Sequence, residues 1–192
     1  MRLILASTSH YRRELLSRLG LPFECMAPHV DESQLHGETP AQLCARLSVE
    51  KAQSIATRHP DALVIGSDQV AELNGIAIGK PGSRERSIQQ LRDASKQSMY
   101  FHTGISLQHA ATGRSALHID RTEARFRVLS DAMIQRYLDR EAALDCAGGF
   151  KCEGLGISLF DAIRSEDPTA LIGLPLIALS RILADFGLDP LH

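Results

Sequence analysis

The sequence lacks the features that mark several large classes of protein. Its 21 lysines and arginines nearly balance 23 acidic residues, and the formal net charge of -2 argues against a broad basic surface for nucleic acid. No apolar run is long enough to cross a membrane. The first residues show no basic segment, apolar core or cleavage site, so no secretory signal is expected. We therefore expect a cytoplasmic protein without a membrane or nucleic-acid partner.

Several catalytic and metal-binding signatures are also missing. None of the four cysteines forms a C-x-x-C pair, so they are expected to be core or partly buried thiols in a reducing compartment. The chain contains no G-x-S-x-G nucleophile motif, Walker loop or G-x-G-x-x-G fingerprint. Because no recognised motif ties a histidine to the hydroxyls at positions 7–9, covalent serine catalysis is not expected.

Strand-like and helix-like segments alternate along the 192 residues. The length suits a single domain, which we place at residues 1–192. Apolar runs at 3–6, 23–27 and 62–73 predict strands, and Asn74-Gly75 predicts a hairpin. Thr39 followed by proline predicts the start of a helix. The pattern indicates an α/β fold with a mixed sheet.

The opening stretch "LILASTSHYRRELL" predicts a site for an anion. An apolar strand at 3–6 passes through small hydroxyl residues at 7–9 into a helix that carries Arg12 and Arg13. Backbone N–H groups and the helix dipole favour negative charge at such a junction, and guanidinium groups bind phosphate oxygens. The alternative interpretation is an ordinary capped helix with solvated arginines.

Further charged residues could complete a polyphosphate site. Asp68 follows an apolar run and a Gly-Ser step, which predicts a position at the carboxyl end of a strand, where open α/β sheets place ligands. Asp68 could hold a divalent metal or activate water. Glu32, Lys51 and Lys80 have the chemistry to join it, although each taken alone reads as a surface residue.

Six segments in order resemble the Maf family of nucleoside triphosphate pyrophosphatases, over residues 3 to about 190. They are "LASTSHYRRELL", "EKA" at 50–52, "GSDQV" at 66–70, "GKP" at 79–81, "AGGFKCEGLG" at 147–156 and "GLPL" at 173–176. "GSDQV" together with "FKCEG" is similar to the branch of the family that cleaves 7-methyl-GTP. Any one segment is a weak signal, but six in order form a strong one.

The resemblance implies the Maf/ITPase-like fold, an elongated mixed β-sheet flanked by helices, with two lobes around a central cleft. It implies a hydrolase in which water attacks the link between the α- and β-phosphates, giving a nucleoside monophosphate and pyrophosphate. It also implies a small-molecule nucleotide as substrate, a divalent metal cation (Mg²⁺ or Mn²⁺) as cofactor and a homodimer, a state frequent in the family.

The resemblance also implies roles for individual residues. Asp68 would be catalytic, Glu32 and Asp68 would hold the metal, and the phosphates would be bound by Ser7, Arg13, Lys51 and Lys80. The residues that select the base would be Tyr11, Gln69 and Glu153. The sequence departs from the family at His10, where proline is usual, and at Tyr11, where this branch is expected to have tryptophan.

Two alternatives stay open at this point. One is a pyrophosphatase of the same family acting on dTTP, UTP or a modified nucleotide. In the pyrimidine branch the three base-selecting positions resemble arginine, threonine and glutamine. The other is a nucleotide-binding regulator of septum formation without turnover.

Overall fold

A computed structural model describes residues 1–141 and 143–192. One mixed sheet of seven strands is flanked by five α-helices. The strands are β1 (Arg2–Ala6), β2 (Glu24–Met26), β3 (Ala62–Leu73), β4 (Ile76–Ile78), β5 (Ser98–His109), β6 (Arg114–Phe126) and β7 (Phe160–Arg164). The helices are α1 (His10–Ser17), α2 (Pro40–Ala56), α3 (Arg84–Ala94), α4 (Asp131–Arg140) and α5 (Leu176–Asp185). Short 3₁₀ turns cover Ala110–Thr112, Ala147–Gly149 and Leu155–Leu159.

The sheet runs in the order β2-β1-β3-β5-β6-β7, and β4 also pairs with β3. β1 is parallel to both β2 and β3. The remaining pairs are antiparallel. The predicted mixed α/β sheet is therefore confirmed.

Local sequence signals explain where several elements begin. The side chains of Ser9, Ser83 and Ser130 cap α1, α3 and α4. Thr39 forms a capping box with Gln42 at the start of α2, as the Thr-Pro step predicts. The hairpin between β3 and β4 turns at Asn74 and Gly75, both with positive φ, as a type I′ turn requires.

Two apolar cores divide the molecule into two lobes, and the long strands β3 and β5 run through both. One core packs α1 and α5 against the sheet and includes Leu3, Leu5, Leu15, Leu16, Leu63, Ile65, Leu179 and Leu183. The other packs α3 and α4 and includes Leu73, Leu91, Met99, Phe101, Phe126, Ile134 and Phe150. Helix α2 packs against the opposite face, on Ile4, Ala6 and Val64.

Gly66 allows α2 to lie directly on β3. A Cβ atom at this position would collide with the Ser48 carbonyl oxygen and the Ala52 backbone nitrogen of α2. Because both are backbone atoms, a larger residue would push the whole helix away. The close approach brings Lys51 on α2 to Asp68 on β3.

Two expectations need correction. Asp68 lies inside the 12-residue strand β3 rather than at its carboxyl end. The reason is that β1 ends opposite Gly66, whereas β3 continues into the second lobe. Cys25, expected to be at least partly buried, is exposed on β2. Strand β7 was not predicted from the sequence.

Among the described residues, no helix has the length and apolar character of a membrane span.

Candidate active site

A gap in the sheet forms a cleft between the two lobes. β1 pairs with β3 only as far as Ala6 opposite Gly66, and β4 joins β3 from Ala71 opposite Ile78. Between these points, residues 67–70 of β3 pair with β5 on one side, and residues 68–70 line the cleft. The cleft has a volume of about 730 Å³ and is lined by both lobes.

Lys51 joins the two predicted acidic residues at the bottom of this cleft. Its ammonium lies 2.6 Å from a carboxylate oxygen of Asp68 and 2.6 Å from one of Glu32. Lys51 and Asp68 are buried, whereas the Glu32 side chain is 63% exposed. The hydrogen bond from Lys51 lowers the pKa of Glu32, and the positive charge of Lys80 acts in the same direction. The structure thus brings together four residues predicted from separate segments.

Asp68 is held on its backbone as well as through its carboxylate. Its N–H donates to the Ser48 hydroxyl at 3.1 Å, and this hydroxyl donates in turn to the Cys44 carbonyl at 2.7 Å. The Cys44 thiol, whose pKa burial raises to about 12, faces two carbonyl oxygens, that of His102 on β5 at 3.1 Å and that of Asp68 on β3 at 3.4 Å. Cys44 therefore stays protonated and acts as a donor that fixes the strand.

The start of α1 forms a second wall of the cleft. Ser7 is buried, and its hydroxyl accepts a hydrogen bond from the Ser9 N–H at 3.1 Å. The Arg12 side chain turns into the cleft, where its Nε donates to the Gly173 carbonyl at 3.0 Å. Burial lowers the pKa of Arg12, while the negative charge of Asp68 partly restores it. Arg12 therefore carries a partly desolvated charge within the field of Asp68.

The structure places Arg12, and not the predicted Arg13, in the lining of the cleft. Arg13 is exposed and lies outside the set of described residues that line the cleft, whereas Arg12 belongs to it. Successive residues on a helix point about 100° apart, so the two side chains leave α1 in different directions, and Arg12 is the one directed at the cleft. The helix start at His10 selects Arg12.

We expect Arg12→Ala to lower kcat/KM for a nucleoside triphosphate by about tenfold or more, because charged hydrogen bonds contribute about 1.5–3 kcal/mol each. Arg13→Ala is the matched control and should stay within about twofold of the parent. Steady-state kinetics with thermal melts would check both. An equal loss in the two variants would contradict the assignment of Arg12.

Tyr11, Lys151 and Glu153 lie together at another part of the cleft. The pKa of Tyr11 is raised chiefly by burial; the nearby Lys151 ammonium opposes this shift, and the charge of Glu153 adds to it. Glu153 is exposed. An aromatic face, an ammonium and a carboxylate therefore meet where a base could lie. Sequence reasoning did not nominate Lys151; the signal was its place in "FKCEG", two residues before Glu153.

The amide of Gln69 has a determined orientation. Its Nε2 faces three oxygen atoms, the Thr103 hydroxyl at 3.0 Å and the carbonyls of Ala170 at 3.1 Å and Leu171 at 3.0 Å. The reversed amide would place its oxygen against these two carbonyls. Because Thr103 donates its own proton to Ala170, it can only accept from Gln69. The Gln69 oxygen is thus left as the free end of the amide, and it can act only as an acceptor.

The two carboxylates fit a divalent cation. Glu32 and Asp68 are held within reach of one ammonium, and carboxylate oxygens are the ligands that Mg²⁺ prefers. Among residues 1–141 and 143–192, no group of three or more His, Cys, Asp or Glu forms a complete metal site. Mg²⁺ sites commonly combine one or two carboxylates with substrate phosphates and water.

The family model of Maf-like proteins matches residues 2–186 of this chain. The chain is 60% identical over 186 residues to a protein of Xanthomonas axonopodis pv. citri named 7-methyl-GTP pyrophosphatase, covering 97% of each chain. It is 54% identical over 190 residues to a protein of the same name from Bordetella pertussis, covering 99% of this chain and 94% of the relative.

Two solved structures share the fold at low sequence identity. The Ham1 protein of Staphylococcus aureus matches with a TM-score of 0.55 at 14% identity, covering 97% of this chain and 100% of that one. A HAM1 protein from Coxiella burnetii gives a TM-score of 0.56 at 17% identity, covering 96% and 99%. At this identity the likeness supports the fold alone, an elongated mixed sheet with two lobes.

Proposed function

Because the chain belongs to the Maf-like protein family, we propose that it is a nucleoside triphosphate pyrophosphatase that hydrolyses 7-methyl-GTP to 7-methyl-GMP and pyrophosphate. Relatives that are 54–60% identical to this chain are named 7-methyl-GTP pyrophosphatase. The observation that carries the proposal is one cleft with two chemically different parts. One part holds Asp68, Glu32 and Lys51 in contact, and the other holds Tyr11 beside Glu153.

The cationic residues of the cleft are suited to a triphosphate. Arg12 and the exposed Lys80 line it, and the segment that leads into α1 adds the buried Ser7 hydroxyl and the positive end of a helix. Most of the catalysis of phosphoryl transfer comes from charge neutralisation and in-line positioning. Phosphate contacts by Ser7, Arg12, Lys51 and Lys80 would supply both.

In the proposed reaction, a water oxygen forms a bond to the phosphorus of the α-phosphate. The bond from that phosphorus to the bridging oxygen breaks, and pyrophosphate leaves with the bonding electrons. Asp68 accepts the proton of the attacking water as general base. Its carboxylate is buried and fixed by Lys51 at 2.6 Å, so it is already placed before the substrate arrives.

Glu32 and Asp68 would hold a divalent metal cation, Mg²⁺ or Mn²⁺, together with the phosphates. When bound, this cation supplies further neutralisation of the triphosphate charge. Lys51 contacts both carboxylates, and its hydrogen bond lowers the pKa of Glu32, which favours the ionised form of this ligand.

The part of the cleft around Tyr11 and Glu153 would recognise the base. A 7-methylguanine ring carries a delocalised positive charge, which favours the aromatic face of Tyr11. Its pairing edge presents N–H donors at N1 and N2, and an ionised Glu153 can only accept. The free oxygen of Gln69 is a further acceptor. This set of groups suits 7-methylguanine better than a pyrimidine.

Substitution of Glu153 tests the base assignment. We expect the parent to prefer 7-methyl-GTP over GTP, UTP and dTTP in competition, with pyrophosphate release as the readout. Glu153→Gln should weaken that preference sharply, because the substrate's donors then meet an amide that is no longer charged or acceptor-only. Glu166→Gln is a matched control at an exposed loop position and should keep the preference.

Equal turnover of UTP and 7-methyl-GTP by the parent would overturn the substrate assignment but leave the pyrophosphatase activity standing. The regulator of septum formation differs in that it would bind nucleotides without releasing pyrophosphate from any of them. The homodimer and the cytoplasmic location stay predictions, and sedimentation and fractionation would test them.

A further inference from the structure

On the basis of the proposed function, we infer that Lys151 determines specificity by donating a hydrogen bond to the oxygen at position 6 of the purine. It would act beside Glu153, which accepts from the neighbouring donors on the same edge of the base.

Lys151 lies where such a contact needs a donor. It lines the cleft with Tyr11 and Glu153, and the nearby Tyr11 hydroxyl raises the pKa of its ammonium. The side chain is only partly buried. An ammonium has three donors, so a ligand lying on the tyrosine ring can accept from Lys151 even when one donor is directed at the Tyr11 hydroxyl.

The backbone around Lys151 is held tightly for a loop. Its N–H donates to the Tyr137 hydroxyl at 3.4 Å, and its carbonyl accepts from Gly154 at 3.3 Å. Glu141 accepts from the Gly156 N–H at 3.0 Å and from the Tyr137 hydroxyl at 3.3 Å. A Cβ atom at Gly156 would collide with the Lys151 carbonyl. The backbone of Lys151, from which its side chain starts, is therefore fixed relative to Tyr137 in α4 and to Glu141, the residue after α4.

The two charges match the order of groups on guanine. Its pairing edge carries one acceptor, O6, followed by the donors N1–H and N2–H. Lys151 can only donate and Glu153 can only accept, and they are two residues apart on one loop. An adenine-type base presents a donor at position 6 and an acceptor at N1, so both side chains would face a group of their own kind. Such a mismatch discriminates strongly because the site's polar groups are left unpaired.

Binding of nucleoside monophosphates tests this inference without any need for turnover. We would measure equilibrium binding of 7-methyl-GMP and 7-methyl-AMP to the parent, Lys151→Met and Lys96→Met. Lys96 lies in a turn on residues 95–97 and does not line the cleft in the described part of the chain. We expect the parent to prefer 7-methyl-GMP, and Lys151→Met to lose about tenfold or more of that affinity. Affinity for 7-methyl-AMP should not fall, and Lys96→Met should behave as the parent.

Two further variants separate base recognition from support of Tyr11. Tyr11→Phe removes the hydroxyl near the Lys151 ammonium, keeps the aromatic ring, and should retain the preference for 7-methyl-GMP. Lys151→Arg keeps a donor and should retain it in part, which guards against a folding defect in Lys151→Met. The inference is wrong if Lys151→Met weakens both nucleotides equally, or if Tyr11→Phe abolishes the preference as fully as Lys151→Met. Retained preference in a protein that releases no pyrophosphate would overturn the proposed function alone.

Discussion

Replacing Asp68 by asparagine should lower turnover of 7-methyl-GTP by about 10²–10⁴-fold, the usual contribution of a general acid–base group. The change keeps the shape of the side chain and removes its charge. An amide cannot accept the proton of the attacking water, and it makes a much weaker partner for the Lys51 ammonium at 2.6 Å. Steady-state pyrophosphate release at saturating nucleotide would measure the loss.

Asp61→Asn is the matched control for this experiment. Asp61 is exposed and immediately precedes the same strand, so the substitution makes the same chemical change away from the cleft. It should leave turnover unchanged. Asp68→Asn with activity within threefold of the parent would remove Asp68 from the catalytic role and leave it as a structural partner of Lys51.

Replacing Lys51 by methionine should have the second large effect, a fall in kcat/KM of about 10²-fold with a loss of stability. Removing one partner of a buried ion pair costs about 3–5 kcal/mol, because the other charge is left uncompensated. Here Asp68 would lose its ammonium while remaining buried. Thermal melts and kinetics on the same samples would separate the two effects.

Lys51→Met should also change the pH profile. The hydrogen bond from Lys51 is the largest cause of the lowered pKa of Glu32, so its removal should raise that pKa. Since ionised Glu32 is needed to hold a cation, the acidic limb of the kcat/KM profile should move to higher pH. Lys51→Arg keeps the charge and should move the limb less. An acidic limb at the same pH in the parent and Lys51→Met would contradict the role given to this contact.

The sequence predicted the elements better than the relations between them. The helix start at Thr39 and the turn at Asn74-Gly75 depend on neighbours in the chain, and these predictions are confirmed. Strand β7 depends instead on pairing with β6 across about 40 residues of sequence. No local pattern at 160–164 shows that pairing.

The same distinction explains the site. The charged residues could be nominated one by one, but their convergence follows from the close packing of α2 on Gly66, which the chain does not show locally. Whether Arg12 or Arg13 faces the cleft depends on how α1 is rotated about its own axis, which the sequence does not show. The orientation of Gln69 depends on carbonyls about 100 residues away.

The central claim is that this cleft cleaves the link between the α- and β-phosphates of 7-methyl-GTP. Its most direct test is to incubate the purified protein with 7-methyl-GTP and a divalent cation and to follow all phosphorus-containing products by ³¹P NMR. We expect 7-methyl-GMP and pyrophosphate to appear in equal amounts, and neither to form with Asp68→Asn above a small residual rate. Release of inorganic phosphate with 7-methyl-GDP, or no product in the presence of Mg²⁺ or Mn²⁺, would contradict the claim.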